Sequence, residues 1–225
     1  MGVGHAAVAL GAAKFAPRLN VAWLFFAAFL ADFLLGIFIL AGLEHASFPA
    51  DMTTRHYALF TFPWSHGLVP LLLWGTLFGA LAAFASRAAR KAAFWLAAAL
   101  VVSHFFLDGL VHVAGLPILG ENSPKLGLGL WRNMPLELAL ESLMTLAAIA
   151  LYWKMAGPAS PRLSRYGIAL CMLLLAAMTW SALFITAPPP PQALAYNCLI
   201  VPVFFAGLAW LLDRKRVLAA RAASP

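Results

Sequence analysis

Six apolar stretches, at residues 21–43, 66–84, 92–115, 135–155, 166–187 and 193–212, dominate this chain. Each is close to the ~20 residues a helix needs to cross a hydrocarbon layer about 30 Å thick. Within such a layer no water satisfies backbone N–H and C=O groups, so a lone apolar stretch must close its own hydrogen bonds as a helix. A seventh stretch, 3–16, is too short to cross and is expected to form a half-spanning or re-entrant helix. No cation precedes it and no clear cleavage site follows it, so it does not read as a secretory signal. The expected fold is an all-α membrane protein of about six transmembrane helices plus that short N-terminal helix, one polytopic domain over residues 1–225. Composition excludes the alternatives. The chain is 64% hydrophobic and 10% charged, whereas soluble domains carry about 25% charged residues. It cannot cover a soluble surface, and it is neither a disordered chain nor a disulfide-stapled module. Cys171 and Cys198 fall in different halves of spans five and six and are expected to stay unpaired.

The net charge of +7 does not mark a nucleic-acid binder, because the cations lie between the apolar stretches rather than in one patch. If the six spans alternate, Lys14, Arg18, Arg87, Arg90, Lys91, Lys154, Arg162, Arg165, Arg214, Lys215, Arg216 and Arg221 all fall on one side, 12 of the 15 Lys and Arg. Only Arg55, Lys125 and Arg132 fall on the other. The positive-inside rule then places both termini in the cytoplasm and segments 44–65 and 116–134 outside. Trp23, Trp64, Trp131 and Trp153, near span ends, read as interfacial anchors.

Charged groups inside spans are costly and generally have a partner or a task. Asp32 lies mid-way along span one, Asp108 in the outer half of span three, and Glu137 and Glu141 in the outer half of span four. Glu44, Asp51, Glu121 and Asp213 read as plain loop or end residues. His104, Asp108 and His112 recur every fourth residue and so share one helical face. His66 opens span two and His5 lies in the short first segment. At 1.5 Å per residue, His104 stands about 20 Å above Lys91 and Asp32 about 21 Å above Arg18. His5, Asp32, His66, His104, Asp108 and His112 are thus expected to converge on one outward-opening polar pocket. Imidazole nitrogen with carboxylate oxygen suits zinc, and manganese or iron less specifically.

The same residues resemble a known family. Gly4-His5, Ala31-Asp32, Pro63-Trp64-Ser65-His66 and Ser103-His104 through Asp108 to His112 are similar to elements of bacterial inner-membrane proteins described as membrane-bound metal-dependent hydrolases. One of these is regulated by the SOS repressor, and the group is distantly like zinc phospholipase C. The stretch Gly127-Leu128-Gly129-Leu130-Trp131 followed by Glu141 resembles a subgroup. The resemblance covers residues 4–155, leaving 156–225 as two additional transmembrane helices. It implies a bacterial inner-membrane hydrolase acting on a lipid or small-molecule phosphoester at the outer face. His5, Asp32, His66, His104, Asp108 and His112 would be candidate ligands to a divalent ion, zinc or manganese, with Asp32 and Glu141 as catalytic candidates. Better-known members carry a Pro-Asp-x-Asp-His string where this chain has Ala31-Asp32-Phe33-Leu34-Leu35, which implies one ion here or an inactive chain. Two other readings fit the same residues: a proton or divalent-ion transporter, and an inactive structural protein. The cytoplasmic halves of spans one to four are nearly bare of polar residues, which favours a one-sided site over a conduction path.

Overall fold

The apolar stretches satisfy their backbones as helices. A computed structural model of the chain describes residues 1–51, 54, 56–185 and 187–222; Arg55 and the side chain of Arg221, both counted among the cations above, lie outside it. Helix α1 (Val3–Ala12) runs into a 3-10 turn at Ala13–Phe15. There follow α2 (Val21–Ala28), α3 (Leu30–Leu40), α4 (Leu68–Ala85), α5 (Arg90–Val111), α6 (Met134–Ala156), α7 (Arg162–Trp180) and α8 (Pro191–Ala222). Five of these helices are long and apolar enough to cross a membrane, and six spans result if α2 and α3 count as one. The loops add two short antiparallel ribbons, β1 (His45–Ser47) with β2 (Leu59–Thr61) and β3 (Leu116–Pro117) with β4 (Lys125–Leu126).

At ten residues, α1 is about 15 Å long, half a bilayer core. It is enclosed by α2, α5, α6 and α7, so even its histidine is buried. Span one is not straight: α2 and α3 meet at 50° around Phe29. No Pro or Gly stands at the break. Instead the Ala28 carbonyl accepts a hydrogen bond from His104 Nδ1 at 2.8 Å, and a side chain entering the backbone ladder is a recognised cause of a kink. The break also gives α3 an N-terminus of its own inside the bundle. Asp32 occupies its first turn, where the helix dipole favours a carboxylate.

Helices α4 and α5 form a tight hairpin because Gly75 and Gly79 carry no side chain. A Cβ on Gly79 would lie 2.8 Å from the Phe94 carbonyl oxygen, and one on Gly75 3.0 Å from that of Ala98. Leucines such as Leu72, Leu77, Leu143 and Leu146 face outward, as a lipid-embedded surface requires.

Asp213 corrects the expectation of a plain end residue. It is wholly buried and ties the basic ends of three helices, α2, α6 and α8, together. Its Oδ1 accepts from Tyr152 Oη at 2.7 Å and from Arg216 Nε at 2.5 Å, and its Oδ2 accepts from Val21 N at 3.0 Å and Arg216 Nη2 at 2.7 Å. Arg216 also donates to the carbonyls of Pro17 and Leu19. Ser164 Oγ, at the start of α7, donates to the Leu212 carbonyl.

Candidate metal centre

The site lies at the end of the bundle opposite this clasp. Helix α5 presents His104 and Asp108 one turn apart, and His112 follows as its C-terminal cap. Helix α3 contributes Asp32, α1 contributes His5, and the turn before α4 contributes His66. Asp108 is the hub. Its Oδ1 lies 3.0 Å from His5 Nε2 and 2.6 Å from the Met1 amino nitrogen. Its Oδ2 faces three imidazoles, with Nε2 of His112 at 3.2 Å, of His104 at 3.3 Å and of His66 at 3.7 Å. Asp32 Oδ1 stands 3.7 Å from His66 Nε2 and 3.9 Å from His104 Nε2. Among the described residues, two groups have ligand atoms all within 4.8 Å of one another: His5, His104, Asp108 and Asp32, His66, His104.

The partners of the other ring nitrogens orient the two central histidines. A carbonyl can only accept, so His104 Nδ1 donates to Ala28 and, in the neutral ring, Nε2 keeps a lone pair. That Nε2 is buried and has no hydrogen-bond partner. His66 is set by a relay. Ser65 Oγ donates to Glu44 Oε2 at 2.6 Å, so it accepts from His66 Nδ1 at 2.8 Å and again leaves the lone pair on Nε2. Histidines that bind metals are commonly held this way, by a carbonyl or carboxylate behind the ring.

Asp108 Oδ1 pairs closely with the Met1 amino group and His5, whereas the contacts of the two central histidines are longer. Charge-assisted hydrogen bonds run at about 2.7–2.9 Å. The four N···O distances linking His66 and His104 to Asp32 and Asp108 are 3.3–3.9 Å. Donors bonded to one tetrahedral ion at about 2.0–2.2 Å stand about 3.3–3.6 Å from each other, a window that holds His104–Asp108 at 3.3 Å, while the other three pairs lie just beyond it at 3.7–3.9 Å. The Met1 amino group faces Asp108 but not Asp32, and a bound cation among these donors would offset carboxylate charge in an apolar bundle. The buried His and Asp groups could therefore hold a metal ion, through either of the two triads.

No protein-family model matches this chain, and neither does any curated protein or solved structure.

A cavity of about 160 Å3 opens beside the cluster, bordered by Asp32, His66, Asp108 and His112 and by Leu194 and Cys198 of the last span. Both cysteines are free. Aromatic rings roof it. Phe60 and Phe62 from the β2 ribbon lie 5.7 and 5.6 Å from His112, and Trp131 lies 4.0 Å from it. Trp131 is thus part of the site, beyond an interfacial anchor. The loop carrying it is pinned where Leu128 N and Gly129 N donate to the carbonyls of Gly109 and His112, which ends α5 with satisfied groups. Gly127 is needed there because a Cβ would collide with the His112 carbonyl.

All six sequence-predicted ligands therefore meet in one place. Glu141 stands beside it. Its two oxygens accept from Gly2 N at 2.8 Å and Gly4 N at 2.7 Å, so it caps the start of α1 and fixes His5. Glu137, one turn earlier, is buried next to it. Glu44 is a second correction to the plain loop residues. It is fully buried, and besides Ser65 Oγ it accepts from Trp64 N at 2.7 Å and Ser65 N at 2.9 Å. Its only sequence signal is a carboxylate directly after a span, a weak one.

Proposed function

We propose that this protein is a metal-dependent hydrolase embedded in a bacterial inner membrane, acting on a phosphoester at the extracytoplasmic face. The observation that carries the reading is the pair of buried, lone-pair-bearing Nε2 atoms of His66 and His104 set against Asp32 and Asp108 at ligand-like separations. The family resemblance of the Gly-His, Ser-His and His-x-x-x-Asp elements supports the hydrolytic assignment. A bound divalent ion supplies Lewis acidity toward phosphoryl oxygens and acidifies water.

His66, His104, Asp32 and Asp108 would hold that ion. His5 holds Asp108 Oδ1 and so turns Oδ2 toward the histidines. Asp32 is 26% exposed against 3% for Asp108, so of the two carboxylates it would be the one to offer its second oxygen as base to water in the cavity. His112, on the cavity wall under Trp131, would give its ring proton to a departing oxygen and be reprotonated from solvent. Glu141 serves by positioning α1. One turn toward the basic end the walls become apolar, with Ala9, Leu24, Ala27, Ala97, Leu100 and Val101 all buried, which supports a site open on one side rather than a path across.

The test is hydrolysis of p-nitrophenyl phosphate and bis-p-nitrophenyl phosphate by detergent-purified protein. The reading predicts turnover abolished by EDTA, restored by zinc or manganese, and reduced at least 100-fold in His104→Ala and Asp108→Asn. Metal-loaded wild type without chelator-sensitive turnover of either ester, or of phosphatidic acid and phosphatidylglycerol presented in mixed micelles, would overturn it.

A further inference from the structure

Helices α7 and α8 do not close against each other at the site end. Between them lies a groove of about 880 Å3 whose walls are nearly all apolar, among them Leu174, Ala177 and Met178 from α7 and Tyr196, Ile200 and Phe204 from α8. These residues are exposed on the lateral face of the bundle, where a bilayer presents hydrocarbon. The groove does not end at the surface. It shares Met178, Ser181, Asn197 and Val201 with an inner cavity of about 460 Å3. That cavity in turn shares Asp32, Trp131, Leu194 and Cys198 with the pocket at the His and Asp cluster. The three cavities thus adjoin through common walls, and this channel-like row leads from the lipid face to the candidate metal centre, apolar outside and acidic at its inner end. Pro202, inside α8 and lining the inner cavity, cannot complete the helical hydrogen-bond ladder and so loosens the wall at that level.

We infer that this channel is a lateral lipid port: an acyl or isoprenoid chain lies between α7 and α8 while its anionic head group reaches the cluster. The occupant follows from the two ends. An apolar void at membrane depth is filled by hydrocarbon and not by water, and a phosphoryl head is the partner for a divalent ion among carboxylates and imidazoles. This names the substrate class of the proposed hydrolase as membrane lipid rather than soluble phosphoester, and it rests on that reading for the head group alone. The chain-binding half stands on the groove.

The experiment places the full chain in phosphatidylethanolamine and phosphatidylglycerol vesicles doped with a phosphatidylglycerol bearing a diazirine in its acyl chain. After irradiation, adducts are mapped by mass spectrometry. Adducts are expected at Leu194 and Val201, inside the channel, as well as at outward-facing Leu72 and Leu77 of α4. Ala177→Trp, which fills the groove, should lower the inner adducts at least fivefold and leave those on α4 unchanged. Ala193→Trp, from the opposite wall, gives the same readout if the first variant fails to fold. No adducts at Leu194 and Val201, or inner adducts undiminished by both substitutions, would overturn the port. Metal content measured on the same preparations separates the two readings: metal retained without inner adducts removes only the port, and inner adducts without metal remove only the hydrolase.

Discussion

Removing the Ser65 hydroxyl tests whether the groups behind His66 matter to ion binding. In Ser65→Ala the His66 Nδ1 proton loses its 2.8 Å acceptor, and Glu44 Oε2 loses its 2.6 Å donor. Both atoms are in buried residues, so water does not replace the hydroxyl freely. An orphaned buried donor costs about 1–3 kcal/mol. The neutral ring can escape that cost by moving its proton to Nε2, which removes the lone pair that faces Asp32 and Asp108. Either way, ion binding weakens by about 1.4–2.7 kcal/mol, or about 10- to 100-fold in Kd, the range found when a group behind a metal-binding histidine is removed. Glu44→Gln keeps an acceptor for Trp64 N and Ser65 N but loses the charge, and should fall between Ser65→Ala and wild type. The assay is competition for zinc against a chromophoric chelator in detergent. Thr76→Ala serves as control, since Thr76 Oγ1 donates only to the exposed Leu72 carbonyl. A change below twofold in folded Ser65→Ala would refute the relay as an orienting device.

Two further outcomes follow from the buried carboxylates. Asp213→Asn should destabilise the bundle by about 3–5 kcal/mol, because it leaves the Arg216 guanidinium buried without its counter-charge, while Tyr152→Phe should cost about 1 kcal/mol; thermal unfolding in detergent compares them, and equal small shifts would contradict the clasp. Glu141→Ala should free the N–H groups of Gly2 and Gly4 and fray α1, seen as faster amide hydrogen exchange over residues 2–8 with exchange at α4 unchanged; unaltered exchange in α1 would contradict the capping role.

Much of this architecture was legible because apolar length is a strong signal. The six stretches appear as α2 with α3, α4, α5, α6, α7 and α8, and the short seventh as α1. The cluster was legible because carboxylates and imidazoles are rare inside spans, so Asp32, His104 and Asp108 stood out individually. What escaped is what depends on contacts between distant segments. The bend at Phe29 has no Pro or Gly to announce it and follows from a bond donated by His104, 76 positions along the chain. Glu44 and Asp213 sit at span ends, where a carboxylate is usually solvated, and their burial is set by Ser65 and by Arg216 with Tyr152. The last two helices carry no titratable residue in their site-end halves beyond Cys198 and Tyr196, yet Leu194 and Cys198 close the pocket beside Asp32.

The central claim is that the His and Asp cluster holds a metal ion, and elemental analysis of gently purified protein tests it most directly. Wild type, His104→Ala and Asp108→Asn are compared, each confirmed as folded by its thermal transition. The account predicts about one zinc or manganese ion per wild-type chain and less than a tenth of that in both variants. Folded wild type that carries no ion after incubation with zinc and manganese, or variants that keep the wild-type amount, would contradict it.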